Sequence, residues 1–132
     1  MTKTNLDFGQ AEISAFNEAA RSGTLHFDEQ SVREAVQLYG QMIIGLRKIR
    51  EKLRAATDSK GFGGFPSGKE LQDGFSNKAA EGMQVINQLI DGAMRLQEAY
   101  LRAGRLITEA DQVNADRTKI LEDASGMGGG TQ

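Results

Sequence analysis

A catalytic reading of this chain has to begin at His26, the sole imidazole among 132 residues. It stands two positions before Asp28, the pairing from which a general base and its orienting carboxylate are built. The sequence sets no serine or cysteine nucleophile beside it, and a place just ahead of a helix start suits a connector or cap residue better. The carboxylates add little. Glu109 and Asp111 are two apart on a predicted helix and do not share a face, while Glu18 with Glu29, and Glu70 with Asp73, form no recognisable ligand set. One histidine, no cysteine and scattered acids specify neither a zinc site nor a calcium loop. The expectation is a protein that is not an enzyme and needs no metal or cofactor.

The glycine-rich run Gly61-Phe62-Gly63-Gly64-Phe65-Pro66, followed by Lys69, exposes backbone amides in the manner of a phosphate loop. It lacks the Gly-Lys-Ser or Gly-Lys-Thr sequence and a preceding strand, and Phe62 and Phe65 have the simpler role of closing an apolar turn. Arg47, Lys48, Arg50, Lys52 and Arg54 form a basic run, but Glu51 and apolar positions interrupt it, which marks a solvated helix face. With 16 basic and 18 acidic residues, a formal charge of -2 and no long block of either sign, nothing points to nucleic acid as the main partner. The N-terminal residues lack the apolar stretch of a signal peptide, and no run approaches the roughly 20 apolar residues of a membrane-spanning helix, so no integral membrane segment is expected.

The elements that would position these residues are helices. Phe8, Ile13, Phe16 and Ala19-Ala20 line one side of a short predicted helix from Gln10 to Arg21, with Gly23 as its stop. A longer helix starts after Asp28, whose carboxylate can cap it, with Phe27 and Val32 as a hydrophobic staple. Its apolar stripe is Val32, Val36, Tyr39, Ile43, Leu46, Leu53 and Ala56, with Ile49 adjoining, and Glu34, Gln37, Gln41, Lys48, Glu51 and Lys52 lie opposite. After the glycine-rich turn, Ser67 and Glu70 make a capping box for a second long helix carrying Leu71, Phe75, Gly82, Ile86, Leu89, Ala93, Leu96, Tyr100, Ala103, Ile107 and Ala110. The spacing predicts an all-α antiparallel helical hairpin with a longer second helix and a short N-terminal helical segment. One domain covers residues 1–124, and residues 125–132 form a flexible glycine-rich tail.

The unequal arms carry a consequence. At 1.5 Å per residue, the first arm, Glu29 to Thr57, spans about 43 Å, and the second, from Gly68 to about Asp123, roughly 84 Å. The first therefore covers the second only to about Leu96 or Tyr100. Leu96, Tyr100, Ala103, Ile107 and Ala110 are left as candidate interface residues, and the uncovered stretch needs either another cover, from the N-terminal segment or another polypeptide, or a break in the helix.

The two long arms, the glycine-aromatic turn and the C-terminal helix resemble the WXG-type small helical-hairpin family of actinobacterial type VII secretion systems, over about Leu25 to Ala124. Gly61-Phe62-Gly63-Gly64-Phe65 stands where the family has Trp-x-Gly. Ile107 and Asp111 keep the apolar-to-acid spacing of the family's C-terminal secretion signature, with Ile in place of Tyr. The resemblance implies a noncatalytic exported substrate, or the helical chaperone of one, cytoplasmic before export and then secreted or associated with the cell envelope. It implies a homodimer or a heterodimer with another helical protein, together with a secretion effector and a secretion ATPase as partners. The alternative is a cytosolic structural or regulatory helical hairpin that dimerises without being secreted.

Overall fold

The computed structural model describes residues 7–57 and 66–129, with side chains up to Asp123 and from Ser67 onward in the second stretch. The predicted turn residues Gly61, Phe62, Gly63, Gly64 and Phe65 lie outside the described residues, and Pro66 opens the next helix. A proline suits that first helical position, where its missing N–H has no intrahelical role. Four helices follow one another: α1 (Gln10–Arg21), α2 (Glu29–Thr57), α3 (Pro66–Ala103) and α4 (Ile107–Gly129). Residues 125–129 of the expected tail thus have helical backbone, and 130–132 lie outside the described residues.

The hairpin expectation is corrected at the end of α3. The second arm is two helices, because the chain turns at Gly104-Arg105-Leu106. The Leu106 N–H donates to the Leu101 carbonyl at 2.8 Å and the Arg105 N–H to that of Arg102 at 3.0 Å, with Arg105 left-handed at φ 64°. This is a Schellman ending. The same motif closes α1: Thr24 N–H reaches the Ala19 carbonyl at 3.0 Å and Gly23, at φ 83°, reaches that of Ala20 at 3.2 Å. Gly104 itself is needed for close approach rather than for the turn, since a Cβ there would fall 2.8 Å from Cγ2 of Val32.

The chain divides into two units, residues Met1–Met42 with Asp91–Gln132, and Ile43–Ile90. In the first, parts of all four helices pack together. The Asp28 carboxylate caps α2 by accepting from the Ser31 N–H at 3.0 Å and its hydroxyl at 2.8 Å, which holds the Asp28 carboxyl below its usual range. Val32, Leu101 and Ala110, from α2, α3 and α4, form a buried cluster ringed by Phe27, Val36, Tyr100, Leu106 and Val113. Tyr100 stands among three rings, edge-on to Phe16 at 5.0 Å, 5.7 Å from Phe27 and 6.0 Å from Tyr39. Offset and edge contacts of this kind add to the area that the rings bury. Burial, with Tyr100 alongside, raises the Tyr39 phenol above its ordinary pKa.

In the second unit the remaining parts of α2 and α3 run antiparallel. Arg50 donates to Asn87 at 2.8 Å, the Ser76 hydroxyl to the Thr57 carbonyl at 3.0 Å, and Leu53 fills the space beside Gly82. Ile43, Ala79 and Ile90 are its buried apolar residues, whereas Leu71 and Phe75, expected on the inward stripe, are exposed.

Candidate functional site

The polar inventory gathers in the first unit as three guanidinium-carboxylate ties that fix α4. Arg33 on α2 grips both oxygens of Glu109 at 2.9 and 3.0 Å, Arg102 on α3 donates to Asp111 at 3.0 Å, and Arg117 on α4 donates to Asp91 at 2.8 Å. The hydrogen bonds from Arg33 hold the Glu109 carboxyl low, and those that Arg33 makes to Glu109 and Glu29 raise the guanidinium pKa. Glu98 is the buried member of the set, with 3% of its side chain exposed, and it takes Arg102 at 2.7 Å and Arg21 at 3.1 Å. Burial works against the charge on Arg102, but its bonds to Glu98 and Asp111 outweigh that and raise its pKa. Held by two guanidiniums, the Glu98 carboxylate ties Arg21 of α1 to α3.

A cleft of about 510 Å³ opens beside Glu98, with Ser14 and Asn17 of α1, Arg95 of α3 and Arg117 of α4 among its walls. Asn17 donates to the Arg95 carbonyl at 2.9 Å, and Arg95 is held by Gln10 and Ser14. These contacts lock α1 onto α3, so the arrangement serves as packing as much as a wall. Among the described residues there is no group of three or more His, Cys, Asp or Glu placed to hold a metal ion, and no helix long and apolar enough to cross a membrane.

The residues named from the sequence fall in several environments. His26 is exposed on the connector before α2. Ala103 and Ala110 are fully buried within this chain, Leu96 and Tyr100 are half-buried, and Ile107 is half-exposed at the start of α4. The cover over this stretch of α3 comes from α1, α2 and α4 of the same chain. Glu109 and Asp111 do point different ways, one to α2 and one to α3.

What the inward stripe conceals is a second, outward one. Leu38, Met42 and Ile49 on α2 are 63%, 48% and 48% exposed. With Gly45 they recur at spacings of four, three and four, the signature of a helix seam, and a Cβ added at Gly45 would meet nothing within 4 Å. Glu34 precedes this run by four residues and Lys52 follows it by three, and both are exposed. At about 100° per residue all six positions fall within an arc of roughly 80°.

Compared with protein-family models, curated proteins and solved structures, the chain matches none. The resemblance to the WXG-type family is corrected by the fold. That family is a two-helix hairpin, and here four helices pack, with the supposed long arm broken at Gly104. The secretion reading built on the resemblance falls with it, and the Asp111 carboxylate is engaged by Arg102.

Proposed function

We propose that this chain is a noncatalytic structural or regulatory protein that works by associating with another helix along the outward face of α2. The observation that carries the reading is the run Leu38, Met42, Gly45, Ile49, three exposed apolar side chains and a bare glycine on one side of an unbroken helix. A glycine within a helix costs about 1 kcal/mol relative to alanine, so a site with open space beside it calls for a compensating contact. Covering the exposed halves of three such side chains is worth about 1 kcal/mol each. Set against the entropy of association, that supports reversible binding rather than a permanent complex.

The test is a comparison of the wild-type chain with a Leu38→Glu, Met42→Glu double variant by analytical ultracentrifugation and by copurification from the native source. The reading expects an associated species with the wild type that the variant loses, at unchanged helix content. Identical sedimentation and identical copurifying proteins for the two would overturn it.

A further inference from the structure

The face of α2 is complementary to itself when one copy is turned end for end. We infer that its occupant is the α2 helix of a second copy of this chain, packed antiparallel about a two-fold axis level with Met42 to Gly45. This rests on the association reading and names its partner.

In that register Leu38 of one copy lies opposite Ile49 of the other, and Met42 lies over Gly45, the one position of the run with no side chain. A long, adaptable side chain set against a bare backbone lets the two helices approach closely. The charges obey the same symmetry. Glu34 lies at one end of the stripe and Lys52 at the other, so the antiparallel arrangement sets Glu34 of each copy beside Lys52 of its mate, twice per dimer. A parallel arrangement sets Glu34 against Glu34 and Lys52 against Lys52, which repel. Glu34 accepts one long hydrogen bond from Gln30, at 3.5 Å, neither side chain is in an ion pair among the described residues, and both are exposed at the rim. An isologous pairing also needs a single patch, which is what one helix face supplies.

Because the chain has no cysteine, single cysteines report the register directly. Under mild oxidation, a mixture of Leu38→Cys chains with Ile49→Cys chains should give the mixed disulfide as the dominant product, while Leu38→Cys chains alone cross-link poorly. In sedimentation, Glu34→Lys and Lys52→Glu should each weaken the dimer by roughly tenfold, through two lost rim pairs and two new repulsions. The Glu34→Lys, Lys52→Glu double variant should restore it, with all three variants matching the wild type in helix content and melting temperature. Preferential disulfides between two Leu38→Cys chains would overturn the antiparallel register while leaving association intact. A chain that stays monomeric to millimolar concentration while the same α2 face captures a different protein would overturn the second copy as occupant and leave the association reading standing.

Discussion

Gly104 and Val32 are so close that a Cβ built on the glycine would lie 2.8 Å from one methyl of the valine and 3.3 Å from its Cβ. Val32 is fully buried in the cluster it shares with Leu101 and Ala110, so it cannot swing aside. Gly104→Ala should therefore destabilise the fold by about 1–3 kcal/mol, the usual range for overpacking. Urea denaturation checks it, and Val32→Ala made in the Gly104→Ala background should cost less than in the wild type, because the added methyl then has room.

Arg105 takes the left-handed position that ends α3, where glycine carries no Cβ penalty. Its side chain is exposed and makes one long hydrogen bond, to the Gly23 carbonyl at 3.4 Å. Arg105→Gly should leave stability unchanged or raise it by up to about 1 kcal/mol. Arg105→Val should lower it, since a β-branched residue tolerates that conformation least. Thermal melting of the pair separates the backbone effect from loss of the charge.

Removing the Glu98 carboxylate leaves Arg102 buried against one exposed acid, Asp111. Glu98→Ala should cost about 3–5 kcal/mol, the range for breaking a buried ion pair from one side. Asp111→Asn should cost under about 1 kcal/mol, because that end of the pair faces water. Denaturation midpoints of the two variants rank them.

The depressed carboxyls of Asp28 and Glu109 predict an acid-side loss of stability. A carboxyl whose folded pKa lies below its unfolded value stabilises the fold fully above the unfolded value and loses that contribution as pH falls through the folded one. The decline should set in as pH drops below about 4.3 for Glu109 and about 3.9 for Asp28. Glu109→Gln should flatten its part of that slope in melts taken from pH 6 to pH 2.5.

Gly23 and Gly104 show what the sequence could and could not disclose. Gly23 occupies the left-handed position itself, and the end of α1 was therefore legible from the residue type. At the end of α3 the left-handed residue is Arg105, while Gly104 precedes it for a reason that exists only in three dimensions, the approach of Val32. A lone glycine among Ala99, Ala103 and Ala110 therefore looked like one more small residue on a continuing stripe. The Asp28 cap was readable because capping is local, with partners three residues apart. Ile49 was not. A helix with one apolar stripe invites its stray apolar residue into that stripe, and only the exposure in the folded chain separates the two faces. The 4-3-4 spacing from Leu38 to Ile49 was nonetheless present in the sequence.

The lateness of their partners gives α1 and the start of α2 a history as well as a location. Asn17 waits for a carbonyl 78 residues further along, Gln10 for a guanidinium 85 residues on, and Arg33 for a carboxylate 76 residues on. At about 5–20 residues per second, a chain in synthesis carries these segments for roughly 4–17 s before their counterparts exist. During that interval Val32 has neither Leu101 nor Ala110 over it. Residues 7–42 thus stand without the other half of their unit until the chain from Asp91 onward has been made.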